Sequence, residues 1–446
     1  LKTCLVQINS FGCGPDSFVV DEAKEIVNRG GHYYLLIRVD EFSNTGAIKL
    51  RLLSLKETLR NTTEIKKRSF IGSKKFTKKD TGRKIIVPHF SDIYSPFIPS
   101  VFRNAGLDVE VLPPPDYRSV EYGLRFVNNE VCYPATIVIG DLIKALSEGE
   151  YERREVAVAL TQTGGQCRAS NYIPLLKKAI IAAGFEDVPV VSIGFDGDVN
   201  NDQPGFEIDW KRLIKIAFIS GLYADALSRM YYSSVARENN KGESRLVLGR
   251  FIEASLPFIE VAHYDGLMAL LNNAVDAFNR IRTRSDCVPK IGIVGEIFLK
   301  YNDFSNNNIC EWLTQQGVEV IAPQIADFFM QFFVNVKVNT KSHIEKASLK
   351  HLIAAVLEVI ANEYIGRIEK ILKGYKFYSP SHDIFTKAYK ARRIVDLVNQ
   401  FGEGWLIPAE ICSYAESGIK NVVSLQPFGC IANQVVSKGV EKVIKK

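Results

Sequence analysis

The sequence predicts an α/β protein with two parallel-sheet domains that are joined and covered by helical segments. Two observations carry this reading. Short apolar runs of strand character alternate with segments of helical period, the pattern of parallel strands buried beneath crossover helices. One phrase also occurs twice. "KIIVPHF" at 84–90, a helical "SPFIPSVFRNAG" and "LDVEVLP" at 107–113 return as "KIGIVGEIF" at 290–298, "NNNICEWLTQQG" and "VEVIAP" at 318–323. Lys-Ile opens both units, and alternating Val and acidic residues followed by Pro close both. Each therefore reads as the βαβ unit of a similar domain.

In chain order, Cys4 to Ile8 reads as a strand that enters the turn "SFGCGPD" and then a helix. Residues 1–80 are expected to hold N-terminal strands and a basic linker packing on the first domain, 81–207. In that domain "REVAVALTQTGGQC" is a strand running into a Gly-rich turn, "NYIPLLKKAIIAAG" a helix and "VPVVSIGF" a strand. A further strand is expected at 135–140, where Pro134 argues against a helix. Over 208–288 the strand signal lapses, and "WKRLIKIAFISGLYADALSRMYY" and "YDGLMALLNNAVDAFNRIRTR" are apolar at helical spacing. The second α/β domain spans 289–446, with a helical insertion at 343–400 and a last strand from Val422 to Leu425. "ADFFMQFFVNV" at 326–336 carries Phe at near-helical spacing and reads as core or interface packing.

The 446 residues are 46% hydrophobic and 24% charged, enough for two or three domains with cores of their own. No run of about 18 apolar residues occurs, so no transmembrane helix is expected. The first residues lack the pattern of a signal peptide. Much of the +6 net charge comes from "KKRSFIGSKKFTKKDTGRK" at 66–84. That run reads either as a solvated linker or as a docking site for an acidic partner or a nucleotide phosphate. No zinc-finger spacing or RNA-binding aromatic signature accompanies it, which argues against nucleic acid. Position 1 is Leu, and the ending "KGVEKVIKK" reads as an unfinished helix. The sequence is expected to be one piece of a longer or split system.

Eight cysteines are present and no two form C-x-x-C, which excludes zinc-ribbon, thioredoxin and ferredoxin-type runs. Cytoplasmic, reduced thiols are expected. Four cysteines stand in distinctive settings. Cys13 ("SFGCGPD"), Cys167 ("TQTGGQCRASNY") and Cys430 ("QPFGCIAN") each follow a strand and precede a helix. Cys132, in "NNEVCYPATIVIG", sits just before the strand expected at 135–140. Loops at the carboxyl ends of parallel strands converge even from distant sequence positions. Gly164, Gly165 and Arg168 surround Cys167 with close-approaching backbone and positive charge, both suited to thiolate and sulfide. Spacing alone leaves two readings open, ligation of a cluster or small buried hydrophobes. "TGGQCR" equally suits a phosphate at a helix N-terminus. Cys4, Cys287, Cys310 and Cys412 read as structural, and six scattered histidines give no support to a zinc site.

"NSFGCGPD", "VNNEVCYPATIVIGDLI", "TQTGGQCRASNYIPLLKKA", "GEIFLKYNDFSNNNICEWL" and "LQPFGCIANQVVSKGV" together resemble the 2-hydroxyacyl-CoA dehydratase and activator-related superfamily. The nearest branch is the C-terminal region of its large multidomain members. The resemblance runs over essentially the whole chain and is unspecific for substrate. It implies flavodoxin-like α/β domains around a cysteine-ligated [4Fe-4S] cluster, with Cys132, Cys167 and Cys430 as ligands and Cys13 as a fourth. It further implies an ATP-dependent activator as electron-donating partner, an acyl-CoA as substrate class, and homo- or hetero-oligomers. The activator's own ATPase motifs do not occur, so ATP hydrolysis by this chain is not expected.

Two functions follow from the sequence. One is a cytoplasmic iron–sulfur redox protein of anaerobic metabolism, a component of a radical dehydratase or an ATP-driven reductase. The other is a metal-free, two-lobed module that binds phosphate or nucleotide. Under the first, the two Phe-Gly-Cys turns meet at one cluster, and Glu296, Asn302 and Asn306 orient a ligand or bond to its sulfides, with helix capping the competing role for Asn306.

Overall fold

The computed structural model describes residues 4–9, 16–39, 44–61, 72–128, 131–149, 151–162, 167–194, 201–284, 287–427, 430 and 432–445. An N-terminal unit pairs β1 (Cys4–Asn9) with β2 (Tyr33–Arg38) in parallel, with α1 (Asp16–Arg29) between them and α2 (Thr45–Asn61) after them. The first full sheet uses β3 (Lys84–Val87), β4 (Val109–Val111), β5 (Val156–Thr161) and β6 (Val190–Ile193) in the order β4-β3-β5-β6, every pair parallel. Its connections are α3 (Phe97–Asn104), α4 (Tyr117–Phe126), α5 (Tyr133–Ser147) and α6 (Tyr172–Ala182). Three long helices follow, α7 (Trp210–Val235), α8 (Glu243–Glu260) and α9 (Tyr264–Arg280). They share a core with α3 through Phe97, Tyr223, Phe251 and Phe278.

The second sheet, also wholly parallel, has the order β8-β7-β9. It comprises β7 (Lys290–Gly295), β8 (Glu319–Ile321) and β9 (Asn421–Leu425). Between β7 and β8 lie α10 (Ile297–Tyr301) and α11 (Ile309–Gln315). Between β8 and β9 lie α12 (Ile325–Lys341), α13 (Leu349–Leu372), α14 (Ile384–Ala391) and α15 (Leu406–Glu416). A π-helical run, Ala432–Lys438, continues into α16 (Gly439–Ile444). The repeated phrase thus forms corresponding units, since β3 pairs with β4 as β7 pairs with β8. Both sheets follow the flavodoxin-like progression of strands, with the first strand central and the second and third on either side. The α/β class with parallel-only sheets covered by helices stands as the sequence predicts.

One element differs. Residues 135–140 belong to α5, a helix and not a strand. Pro134 starts that helix, because in the first turn its missing N–H has no partner to lose and its fixed φ is already helical. The run from Ala135 to Ile143 is apolar apart from Thr136, Gly140 and Asp141, and α5 is buried nearly all round. A continuous apolar stretch of this kind has no period that separates helix from strand. The basic run also differs in part from a free linker. Phe76 is a core residue, and buried Asp80 binds Lys74 Nζ and Arg83 Nε at 2.7 Å each and accepts from Thr77 N at 3.0 Å. Residues 62–71 lie outside the described ones.

The two sheet domains share a core. Phe298 and Leu299 of α10 pack with Cys132, Ile173 and Leu176 of the first domain. Asn302 Nδ2 donates to the His89 carbonyl across the same boundary at 3.4 Å. The carboxyl ends of the two sheets are brought together there.

Candidate functional site

Strand progression reverses between β3 and β5 in the first sheet and between β7 and β9 in the second. Open parallel sheets gather ligands outside the carboxyl ends of strands at such reversals. Cys167 comes six residues after β5, Cys430 five after β9, and Glu296 directly after β7. Cys132 enters from the side, as the residue that begins α5.

The local backbone puts each sulfur at the start of a helical segment. Cys132 is the N-cap of α5, with extended backbone at φ −60° and ψ 148°. Cys167 is the N-cap of the 3₁₀ turn Arg168–Asn171 that runs on into α6, at φ −70° and ψ 146°. Cys430 precedes the π-helical run, and its carbonyl accepts the Gln434 N–H at 2.9 Å. The Ala169 and Asn433 N–H groups bond the Cys167 and Cys430 sulfurs, a contact that favours anionic sulfur. α1 docks beside these segments, with Asn128 Nδ2 donating to Asp21 at 3.2 Å and Lys178 of α6 bridging Glu22 and Glu25.

Cys132, Cys167 and Cys430 are close enough for the three thiols to interact. Burial pushes the Cys167 thiol well above its usual range, and the charges of Glu403, Cys132 and Cys430 push it further. Burial, with Glu403 and Glu296 next in effect, moves Cys430 up to about 12. For Cys167 and Cys430 the expectation that helix starts favour thiolate is thereby corrected: desolvation and neighbouring carboxyls outweigh the backbone N–H groups and raise both thiols. Tyr172 anchors the group, its hydroxyl hydrogen-bonded to Cys132 Sγ at 2.9 Å. Asn433 Nδ2 donates to Cys430 Sγ at 3.0 Å, while its buried Oδ1 has no hydrogen-bond partner among the described residues. Gly402, at φ +55°, brings backbone against Cys167, and a Cβ there would lie 3.8 Å from its Sγ.

Beside the thiols lies an acidic pair, Glu403 buried and Glu296 half-buried. Glu296 Oε2 accepts the Leu299 N–H at 2.9 Å, and Glu403 accepts the Ile297 N–H. Burial first, and then the charge of Glu403, raises Glu296 to about 8. Glu403 is also raised by burial, with Lys300 pulling the other way. Lys300, itself buried, lies 3.5 Å from Glu410, a third carboxyl, which burial raises to about 7. One lysine thus faces three acids.

The sequence-nominated residues divide clearly. Cys132, Cys167 and Cys430 are brought together. Cys13, Gly164 and Gly165 lie outside the described residues, as does the side chain of Arg168, whose backbone begins the 3₁₀ turn. Glu296 joins the site. Asn302 and Asn306 do not: Asn302 Oδ1 holds Ser305 N at 2.9 Å, and Asn306 ties the Leu299 carbonyl at 2.8 Å and Ile309 N at 3.2 Å. Cys310 is a buried core residue and Cys287 is exposed. Tyr172, Glu403 and Asn433 went unnoticed in the sequence. The Gly-Glu-Gly of "FGEGW" was the available signal for Glu403.

Among the described residues, no three His, Cys, Asp or Glu side chains are gathered tightly enough to hold a metal ion. The thiols stand as neighbours coupled through space. Their donor chemistry, three sulfurs at the starts of helical segments, suits an iron–sulfur cluster. Bound iron displaces thiol protons outright, which reverses the neutral state that burial imposes. No family model matches this chain, and no curated protein matches it either.

Proposed function

We propose that this chain is an iron–sulfur redox protein related to the 2-hydroxyacyl-CoA dehydratase components. It would accept low-potential electrons from an ATP-dependent activator and serve an acyl-CoA substrate. The observation that carries the reading is the meeting of Cys132, Cys167 and Cys430. They come from segments up to 298 residues apart, each at the start of a helical segment. Cys132, Cys167 and Cys430 would hold a [4Fe-4S] cluster, with Cys13 as the fourth sulfur the sequence nominates. Such a cluster supplies one-electron storage at low potential.

The chain's own residues have separable tasks. Tyr172 and Asn433 fix the Cys132 and Cys430 sulfurs by hydrogen bonds. Hydrogen bonds of this kind tune potential and ligand orientation. Burial, with the charge of Glu403, raises Glu296 to about 8, so its carboxyl keeps a proton at neutral pH, while its Oε2 accepts the Leu299 N–H. A protonated carboxyl beside the sulfurs is suited to give a proton to a departing hydroxyl, the acid a dehydration needs. Phe298 and Leu299 pack across the domain boundary behind the site.

The test is an anaerobic redox titration followed by low-temperature EPR. A one-electron signal that appears only at strongly reducing potential, and is lost in Cys167→Ala, is the expected result. Protein that takes up no electron but binds phosphate or nucleotide would replace this reading with the metal-free module.

A further inference from the structure

We infer that the N-terminal half of α13 is a self-association surface that binds a second copy of this chain, helix against helix and antiparallel. α13 is apolar on two faces over its first three turns. One face, with Ala354, Ala361 and Ile368, is buried within the chain. The other carries Leu349, Leu352, Ile353, Val356, Val359 and Ile360, which are between 42% and 70% exposed. Their spacing of three and four residues is that of a helix seam that seats another helix. A helix apolar all round belongs in an interior, and nothing among the described residues covers this face. Phe329 and Phe332 of the neighbouring α12 are exposed as well, while Met330, Val334 and Val338 of the same helix turn into the core. The Phe-rich stripe thus divides between core and surface.

Area and charge select the occupant. These eight side chains present on the order of 800 Å² of apolar surface, above the patch size usual on a monomer and equal to one partner's share of a standard interface. The flanking charges are arranged for self-pairing. Lys346 precedes the apolar stretch and Glu363, which also bonds Arg367 of its own helix, follows it, while Glu358 within the stretch is taken by Lys337. Crossing two antiparallel copies about Ala355, a small exposed residue near the middle of the stretch, lays Lys346 of one beside Glu363 of the other, and the two-fold axis makes that contact twice. A parallel pairing would oppose like charges at both ends.

The experiment is sedimentation equilibrium with light scattering on the whole chain, from low to high micromolar concentration. Wild type is expected to be a concentration-dependent dimer. Leu352→Glu with Val356→Glu is expected to be a monomer whose far-UV circular dichroism is unchanged, since both positions face solvent in the single chain, and whose melting no longer depends on concentration. Lys346→Glu is expected to weaken the dimer about tenfold, and adding Glu363→Lys to restore it. Wild type that stays monomeric throughout, a double-Glu variant that stays dimeric, or failure of the reversed pair to restore association would each overturn the inference. Binding of the wild-type monomer to phospholipid vesicles would assign the patch to a membrane surface instead. All these readouts are independent of any cluster.

Discussion

Gly295→Ala tests how β7 and β9 hold the site together. Gly295 ends β7 at φ +127°, and a Cβ there would sit 2.1 Å from the Leu425 carbonyl oxygen, at the end of β9. That carbonyl also accepts the Glu296 N–H at 3.0 Å. A side chain must push the strand ends apart, next to Glu296 on one strand and five residues before Cys430 on the other. Backbone strain in this region costs about 1–3 kcal/mol, and losing the hydrogen bond adds about 0.5–1.5 kcal/mol. A total of about 1.5–4.5 kcal/mol is expected in urea unfolding of the apoprotein. Gly418→Ala is the control, with φ +79° but nothing within 4 Å of its Cβ, so only the strain of about 1 kcal/mol applies. If the two variants lose equal stability, the close approach of β7 and β9 does not have the role given to it.

Further outcomes follow from the acids, the phenol and the anchored loop. Folding raises the Glu296 pKa from 4.5 to about 8. Between those values the folded state binds the extra proton, so stability falls as pH rises, by at most about 1.4 kcal/mol per unit for this group. Glu296→Gln should flatten the urea-derived slope between pH 5.5 and 7.5 by up to that amount, and an unchanged slope would contradict the protonated assignment. Tyr172→Phe should leave the fold intact and shift the reduction potential or loosen bound iron, read by anaerobic titration. Asp80 is held well below the usual carboxylate range despite burial, through Lys74 and Thr77. Asp80→Asn should therefore cost about 2–4 kcal/mol near neutral pH, with the difference from wild type shrinking as acid protonates Asp80.

The sheets were legible because their signal is local. "KIIV", "VAVAL" and "KIGIVG" are short β-branched runs bounded by turns, and the repeat of Lys-Ile units pointed to the second parallel sheet. α5 was misread because its apolar run is nearly unbroken, leaving no period to measure. The convergence of Cys132, Cys167 and Cys430 was legible through placement at strand and helix ends, although Cys132 reached it by starting a helix. The acidic pair was not. Glu296 and Glu403 lie 107 residues apart, and nothing in "GEIF" or "FGEG" says that both lie beside sulfur. Burial of a charge is a tertiary property, and so is the sign of its pKa shift. The same limit explains why the Cys167 and Cys430 thiols, expected to be acidic beside helix starts, are raised by burial instead.

The most direct test of the three-thiol centre is iron and acid-labile sulfide per chain after anaerobic purification, with the visible spectrum. Roughly four of each, lost together in Cys132→Ala, Cys167→Ala and Cys430→Ala but retained in Cys310→Ala, is the predicted result. Iron-free protein after anaerobic reconstitution, or iron content indifferent to those three cysteines, would contradict it.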